Sequence, residues 1–113
     1  MAAYTNRLHY RVTGAAAIAA TLPVTSGDYC IEEVRLHLSA VGGAAEAFTV
    51  TIDSGVNAAY DVLLFSQDMN ALTDIVWRPV HPPFIDDADE VDFAWANSGT
   101  KTYGLEVVYR LNA

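Results

Sequence analysis

A single cysteine, Cys30, stands in a chain of 113 residues. No disulfide can close within the chain, which sets it apart from the small secreted scaffolds held by bridges, and no zinc site can be built on paired cysteines. One small apolar thiol at the start of an apolar run reads as a buried core residue. Basic residues are scarce too: six Lys and Arg face fourteen Asp and Glu, a formal charge of −8. Arg7, Arg11, Arg35, Arg78, Lys101 and Arg110 are scattered and form no basic stripe. Such a surface repels polyanions, so no nucleic acid partner is expected. Long apolar runs are missing as well. None reaches the ~18 residues of a membrane span, and no membrane partner is expected. Arg7 and Arg11 ahead of Ala15-Ala16-Ala17-Ile18-Ala19-Ala20 imitate a secretory leader only loosely. That stretch holds one large side chain, Ile18, and Leu8, Tyr10 and Val12 before it alternate as in a strand. The chain reads as made in the cytoplasm.

What is present is alternation with a period of two. Val34, Leu36 and Leu38 alternate with Arg35, His37 and Ser39; Phe48, Val50 and Ile52 with Thr49, Thr51 and Asp53. Val91, Phe93 and Trp95 alternate with Asp92, Ala94 and Ala96; Leu105, Val107 and Tyr109 with Glu106, Val108 and Arg110. Each set is a strand with one buried and one wetter face. Leu8 to Val12, Tyr60 to Phe65 and Ile75 to Trp77 are shorter runs of the same kind. Between them lie Ser26-Gly27-Asp28, Gly42-Gly43, Asp53-Ser54-Gly55, Gln67 to Asn70 and Asn97-Ser98-Gly99, all turn chemistry. Asn97 to Lys101 joins two clear strands and is expected to be a tight hairpin. The spacing predicts an all-β fold, an antiparallel, jelly-roll-like β-sandwich of about seven or eight strands.

Helix signals are weak. Ala15 to Leu22 has helix-friendly composition that Pro23 ends, but it lacks the charges of a solvent-facing helix and reads equally as an extended arm. Residues 1–22 are therefore set apart as an N-terminal strand or arm available for assembly contacts, and 23–113 as the sandwich. In Arg78-Pro79-Val80-His81-Pro82-Pro83-Phe84, three prolines forbid a central strand and suggest a surface crossing between the two sheets. Ile18, Leu22, Trp77, Pro79, Pro82 and Pro83 are the candidate interface residues.

Several motifs invite chemistry. Asp53-Ser54-Gly55 after an apolar strand is the pattern of dimeric aspartic proteases, where two aspartates share a proton. No glycine here follows two large aliphatic residues to brace such a loop, and no glycine-rich flap is present, so a β-turn is the better reading. The acidic run Asp86 to Asp92 has carboxylates for a hard cation but lacks the glycine spacing of an EF-hand. It reads as an acidic turn that discourages edge-to-edge aggregation. His9, His37 and His81 form no ligand pair, and neither a nucleophile elbow nor a phosphate-binding glycine loop is present. Trp77 and Trp95 with Tyr60, Tyr103 and Tyr109 suggest either a sugar-binding face or, for most, core. No catalytic, metal or cofactor-binding residue is assigned, and the chain is expected not to be an enzyme.

The segment from Tyr60 carries a resemblance. Tyr60-Asp61-Val62-Leu63-Leu64-Phe65 is followed by Gln67-Asp68-Met69-Asn70. Then come Thr73-Asp74-Ile75-Val76-Trp77-Arg78-Pro79, Asp89-Glu90-Val91-Asp92-Phe93 and Tyr103-Gly104-Leu105-Glu106-Val107-Val108-Tyr109-Arg110. Over about residues 23 to 111 this is similar to small β-sandwich proteins encoded among the virion structural genes of tailed bacteriophages. The resemblance implies a non-enzymatic virion protein. It would be a capsid decoration (cement) protein, often a homotrimer, whose partners are its own copies and the major capsid protein or other virion proteins. A tail- or fibre-associated jelly roll that binds carbohydrate or another virion protein is the alternative. The resemblance carries over no catalytic site.

Overall fold

The computed structural model describes residues 7–23 and 27–111, and each alternating run in it is a strand. The order is β1 (Arg7–Gly14), β2 (Ile18–Thr21), β3 (Tyr29–Leu38), β4 (Ala47–Asp53), β5 (Val62–Asp68), β6 (Asp74–Trp77), β7 (Phe84–Ile85), β8 (Glu90–Trp95) and β9 (Tyr103–Leu111). Every pairing is antiparallel. One sheet runs β1-β9-β3-β6, with β7 also on β3; the other runs β2-β8-β4-β5. The pairs are nested, β1 with β9, β2 with β8, β3 with β6 and β4 with β5, as in one long ribbon whose tip is the β4–β5 connection. Rolling that ribbon adds the β3–β9 and β4–β8 pairs. This is jelly-roll connectivity, and the fold class read from alternation stands. Nine strands form among the described residues, counting the two-residue β7.

The core fills from the inward rows. Ile31, Val34, Leu36 and Leu38 of β3 and Leu105 and Val107 of β9 face Phe48 and Val50 of β4 and Val91, Phe93 and Trp95 of β8. Burying each such side chain is worth about 1.5–3 kcal/mol relative to leaving it in water, which makes these rows the main driving force. Tyr29 and Tyr109 meet edge to face at 6.4 Å. Cys30 is buried at the start of β3.

Of the N-terminal segment 1–22, residues 1–6 lie outside the described residues, and the rest is built into the sandwich. β1 forms an edge of the first sheet along β9, and β2 an edge of the second along β8, with Ile18 opposite Trp95 and Ala20 opposite Phe93. The Leu22 N–H donates to the Val91 carbonyl at 3.0 Å. The alanine-rich stretch is extended because Ile18 and Leu22 both fall on the core side, which a ladder with β8 satisfies. Deleting residues 1–22 therefore removes an edge strand from each sheet.

The proline segment does not cross between sheets. β6 and β7 both pair with the same side of β3, Trp77 against Val34 and Phe84 against Cys30. Residues 78–83 are a loop thrown out of one interrupted edge strand. Proline has no N–H to give the ladder, so the pairing breaks where the prolines stand. The crossing to the second sheet is made by the acidic stretch 86–89.

Candidate functional site

Alternation places the arginines on one side. In β1 the outward row is Arg7, His9, Arg11 and Thr13, because their partners across the ladder are Arg110, Val108, Glu106 and Gly104. In β3 it includes Arg35 and His37, which face Glu106 and Gly104. A bulge at Glu32 in β3 lets two consecutive glutamates, Glu32 and Glu33, serve the same face. Five of the six basic residues, Arg7, Arg11, Arg35, Arg78 and Arg110, thus gather on the outer face of the first sheet. The impression of scattered bases came from reading along the chain and is corrected by the register.

This face is an ion-pair lattice. Glu106 takes His9 Nδ1 and Arg11 Nε, both at 2.8 Å, and Arg35 at 3.3 Å. Glu33 is held by Arg35 and, at 2.5 Å, by Arg78. Glu32 pairs with Arg7 at 3.0 Å, and His37 with Asp74. The carboxyls of Glu106, Glu33 and Asp74 are each held below their ordinary range. The main causes are hydrogen bonds from His9, from Arg78 and from His37 respectively. Arg35 divides the face into two depressions. A larger one of about 550 Å³ lies over Gly104, walled by Arg11, Thr13, His37, Asp74 and Val76. A smaller one of about 390 Å³ is floored by Val108 and rimmed by Arg7, His9, Arg78, Pro79 and Pro82.

The candidate interface residues separate. Pro79 and Pro82 stand on that rim, and Pro83 is half-buried behind it. Ile18 and Leu22 lie in the core, already covered by this chain. Trp77 stacks on Phe65 across the sandwich edge, centroids 5.2 Å apart and planes 19° from parallel. It is half-buried, with one ring face covered by Phe65. Trp95 is core. Composition alone did not single out Val80 and Phe84, which are 89% and 73% exposed in and beside the proline loop. Large apolar residues among prolines were the available signal.

The Asp53-Ser54-Gly55 segment is a turn. The Ser54 N–H donates to Asp61 at 2.8 Å, the Gly55 N–H to Asp89 at 3.0 Å, and Ser54 Oγ accepts from the Val56 N–H. Gly55 passes so close to Ala88 that a Cβ there would sit 1.9 Å from its carbonyl oxygen. Across the β4–β8 ladder, Asp53 lies opposite Glu90. Asp53, Glu90 and Asp92 bring carboxylates within 4.8 Å of one another, an all-oxygen set of the kind hard cations take. Asp86 and Asp87 of the acidic run are outside this group. Asp92 also accepts from Thr21 Oγ1 at 2.7 Å.

No protein-family model and no curated protein matches the chain. Among solved structures it is similar to the structure of the infectious bursal disease virus Gx strain. The TM-score is 0.40 and the identity 13%, and the match covers 95% of this chain and 33% of that one. The chain therefore spans about a third of that protein's length.

Proposed function

We propose that this chain is a non-enzymatic virion structural protein, a capsid decoration protein that binds the outside of an assembled shell and stiffens it. The observation that carries the reading is the jelly-roll connectivity, which recurs in capsid and lectin domains. Because a fold hosts many functions, this is analogy, and the residue-level resemblance from Tyr60 to Arg110 is what turns it toward virions. Some of the segments that suggested chemistry have other duties: Asp53-Ser54-Gly55 closes a turn, and His9 and His37 are committed to carboxylates. The proline loop supplies an attachment point, with Val80 and Phe84 presented beside the arginine face. Its three prolines restrict the backbone before binding and so lower the ordering cost. The mechanism is mechanical: many modest contacts, repeated over a lattice, sum by multivalency.

The test is addition of purified protein to shells of the encoding virus prepared without it. Wild type co-sediments and raises the temperature at which shells rupture, whereas Val80→Asp/Phe84→Asp stays in the supernatant while melting normally. Wild type that leaves every shell bare refutes the reading. Trp77, the ring on which the carbohydrate-binding alternative rests, is half-buried and has one face stacked on Phe65.

A further inference from the structure

Glycine inside a strand weakens it, and the usual reasons for one there are a bulge, a tight bend or something that approaches the backbone closely. Gly104 is such a residue. It lies in β9, which has β1 and β3 on its two sides, and it is paired with Thr13 and with His37. Its φ lies outside the left-handed region, and neither ladder is bulged at its position. A Cβ added to it meets nothing within 4 Å. Neither the backbone nor the packing of this chain therefore requires glycine. The consequence is a socket in the middle of the outer face, with Gly104 exposed on its floor.

The register sets the walls. Thr13, Gly104, His37 and Asp74 stand abreast, and Arg11, Glu106, Arg35 and Val76 form the next row. A bare glycine in a sheet can be rescued by a cross-strand neighbour, above all an aromatic ring, that lies over it. Here neither neighbour does so. Thr13 is short and its Oγ1 donates to the Tyr103 carbonyl at 2.8 Å, while His37 Nδ1 is turned to Asp74. Thr13 and His37 are two strand spacings apart, roughly 10 Å, which leaves room for a flat ring on the Gly104 backbone. At about 550 Å³ the depression is of the size of clefts that take ligands.

Charge identifies the occupant. Arg11 and Arg35 stand at one end of the socket. Among the described residues Arg11 gives only its Nε, to Glu106, which leaves both Nη groups open on a side chain that is 71% exposed. The whole face sets five arginines against Glu32, Glu33, Asp74 and Glu106, a slight positive excess in a chain of net charge −8. An anionic group is drawn here and repelled by the rest of the surface. A flat floor suits a ring, and cations at the rim favour the π-face of one. From this we propose that the socket over Gly104 receives an aromatic side chain of a partner protein, whose acidic neighbour in sequence pairs with Arg11. An aliphatic side chain would gain burial but nothing from the guanidiniums, and a basic neighbour would be repelled by them. The proposal needs neither a shell nor the proline loop, so it and the decoration reading can fail separately.

The test is an NMR titration of the isotope-labelled full chain with the peptide acetyl-Glu-Trp-Glu-amide, up to about 10 mM. Upfield ring-current shifts of the Gly104 α-protons are expected, with a dissociation constant of about 1 mM or tighter that weakens as salt is added. Acetyl-Lys-Trp-Lys-amide and acetyl-Glu-Leu-Glu-amide should each bind about tenfold more weakly. Gly104→Val fills the socket with a residue that strands favour. It should melt no lower than wild type and lose the binding. Arg11→Gln should weaken binding several-fold without changing the melt. The proposal is overturned by unmoved Gly104 protons, by an equal response to the basic or the leucine peptide, or by full binding in either variant. A Gly104→Val protein that melts below wild type also overturns it, because glycine would then be there for the fold.

Discussion

Asn97 should be among the most sensitive polar positions in the molecule. It is 3% exposed and its φ is 49°, the left-handed region. Its Nδ2 donates to the Ala16 and Lys101 carbonyls, both at 2.9 Å, and its Oδ1 accepts from the Lys101 N–H at 2.8 Å. One side chain therefore closes the β8–β9 hairpin and pins it to the β1–β2 connection. Asn97→Ala removes three hydrogen bonds at about 1 kcal/mol each. It also holds alanine at positive φ for roughly 1 kcal/mol more. Water reaches Ala16 and partly Lys101, which trims the sum to about 3 kcal/mol, or about 12 °C in melting temperature for a domain of this size. Asn97→Gly loses the same bonds without the backbone penalty and should fall only about 2 kcal/mol. Asn97→Asp keeps the acceptor but aims a carboxylate at two carbonyls. It should be as damaged as alanine at neutral pH and regain stability when protonated. Circular dichroism melts and urea titrations of the three variants measure this. An alanine variant within 1 kcal/mol of wild type, or a glycine variant less stable than alanine, refutes the reasoning.

Three other outcomes are expected. Gly55→Ala drives a Cβ into the Ala88 carbonyl and must displace the β4–β5 tip from the 86–89 crossing. A loss of about 1–3 kcal/mol in urea midpoint is expected, and a neutral result would show that the tip shifts freely. Glu90→Gln removes one of two like charges facing each other across β4–β8. It should stabilise the protein by about 0.2–1 kcal/mol at low salt and less at high salt, so destabilisation at low salt would contradict it. Glu33, Asp74 and Glu106 have lowered pKa values, so their pairs contribute stability above the ordinary carboxylate range that is lost as pH falls through the folded values. Urea midpoints should drop on acidification below that range, and the drop should be shallower in Glu106→Gln; an equal drop would mean that the Glu106 pairs are not linked to folding.

The sandwich was legible because its inward rows are nearly free of polar residues: Val34, Leu36 and Leu38, or Val91, Phe93 and Trp95, admit only one register toward the core. β2 was harder to see because Ala16 and Ala17 before it and Ala19 within it are small and carry no pattern, leaving Ile18 and Leu22 to report the core alone. β7 is two residues and lies below any periodic signal. The proline loop was recognised, but its direction was not, since proline says where a ladder breaks and not which strand resumes. Asn97 was read as a turn residue; its bond to Ala16 joins positions 81 residues apart, which turn chemistry does not encode.

The arginine face was invisible for the same reason. Arg7, Arg11, Arg35 and Arg110 are on one surface only because β1, β9 and β3 are neighbours in a particular register. Each exposed pair on it contributes less than about 1 kcal/mol, so the face is a weak stability device. Its consequence is electrostatic. Five arginines there meet Glu32, Glu33, Asp74 and Glu106 and come close to neutrality, while the other ten carboxylates, in the second sheet and the connections, have only Lys101 against them. A partner of the same negative sign is repelled by most of the molecule and least by this face. There the proline loop offers Val80 and Phe84, and the lattice pairs are cheap to rearrange.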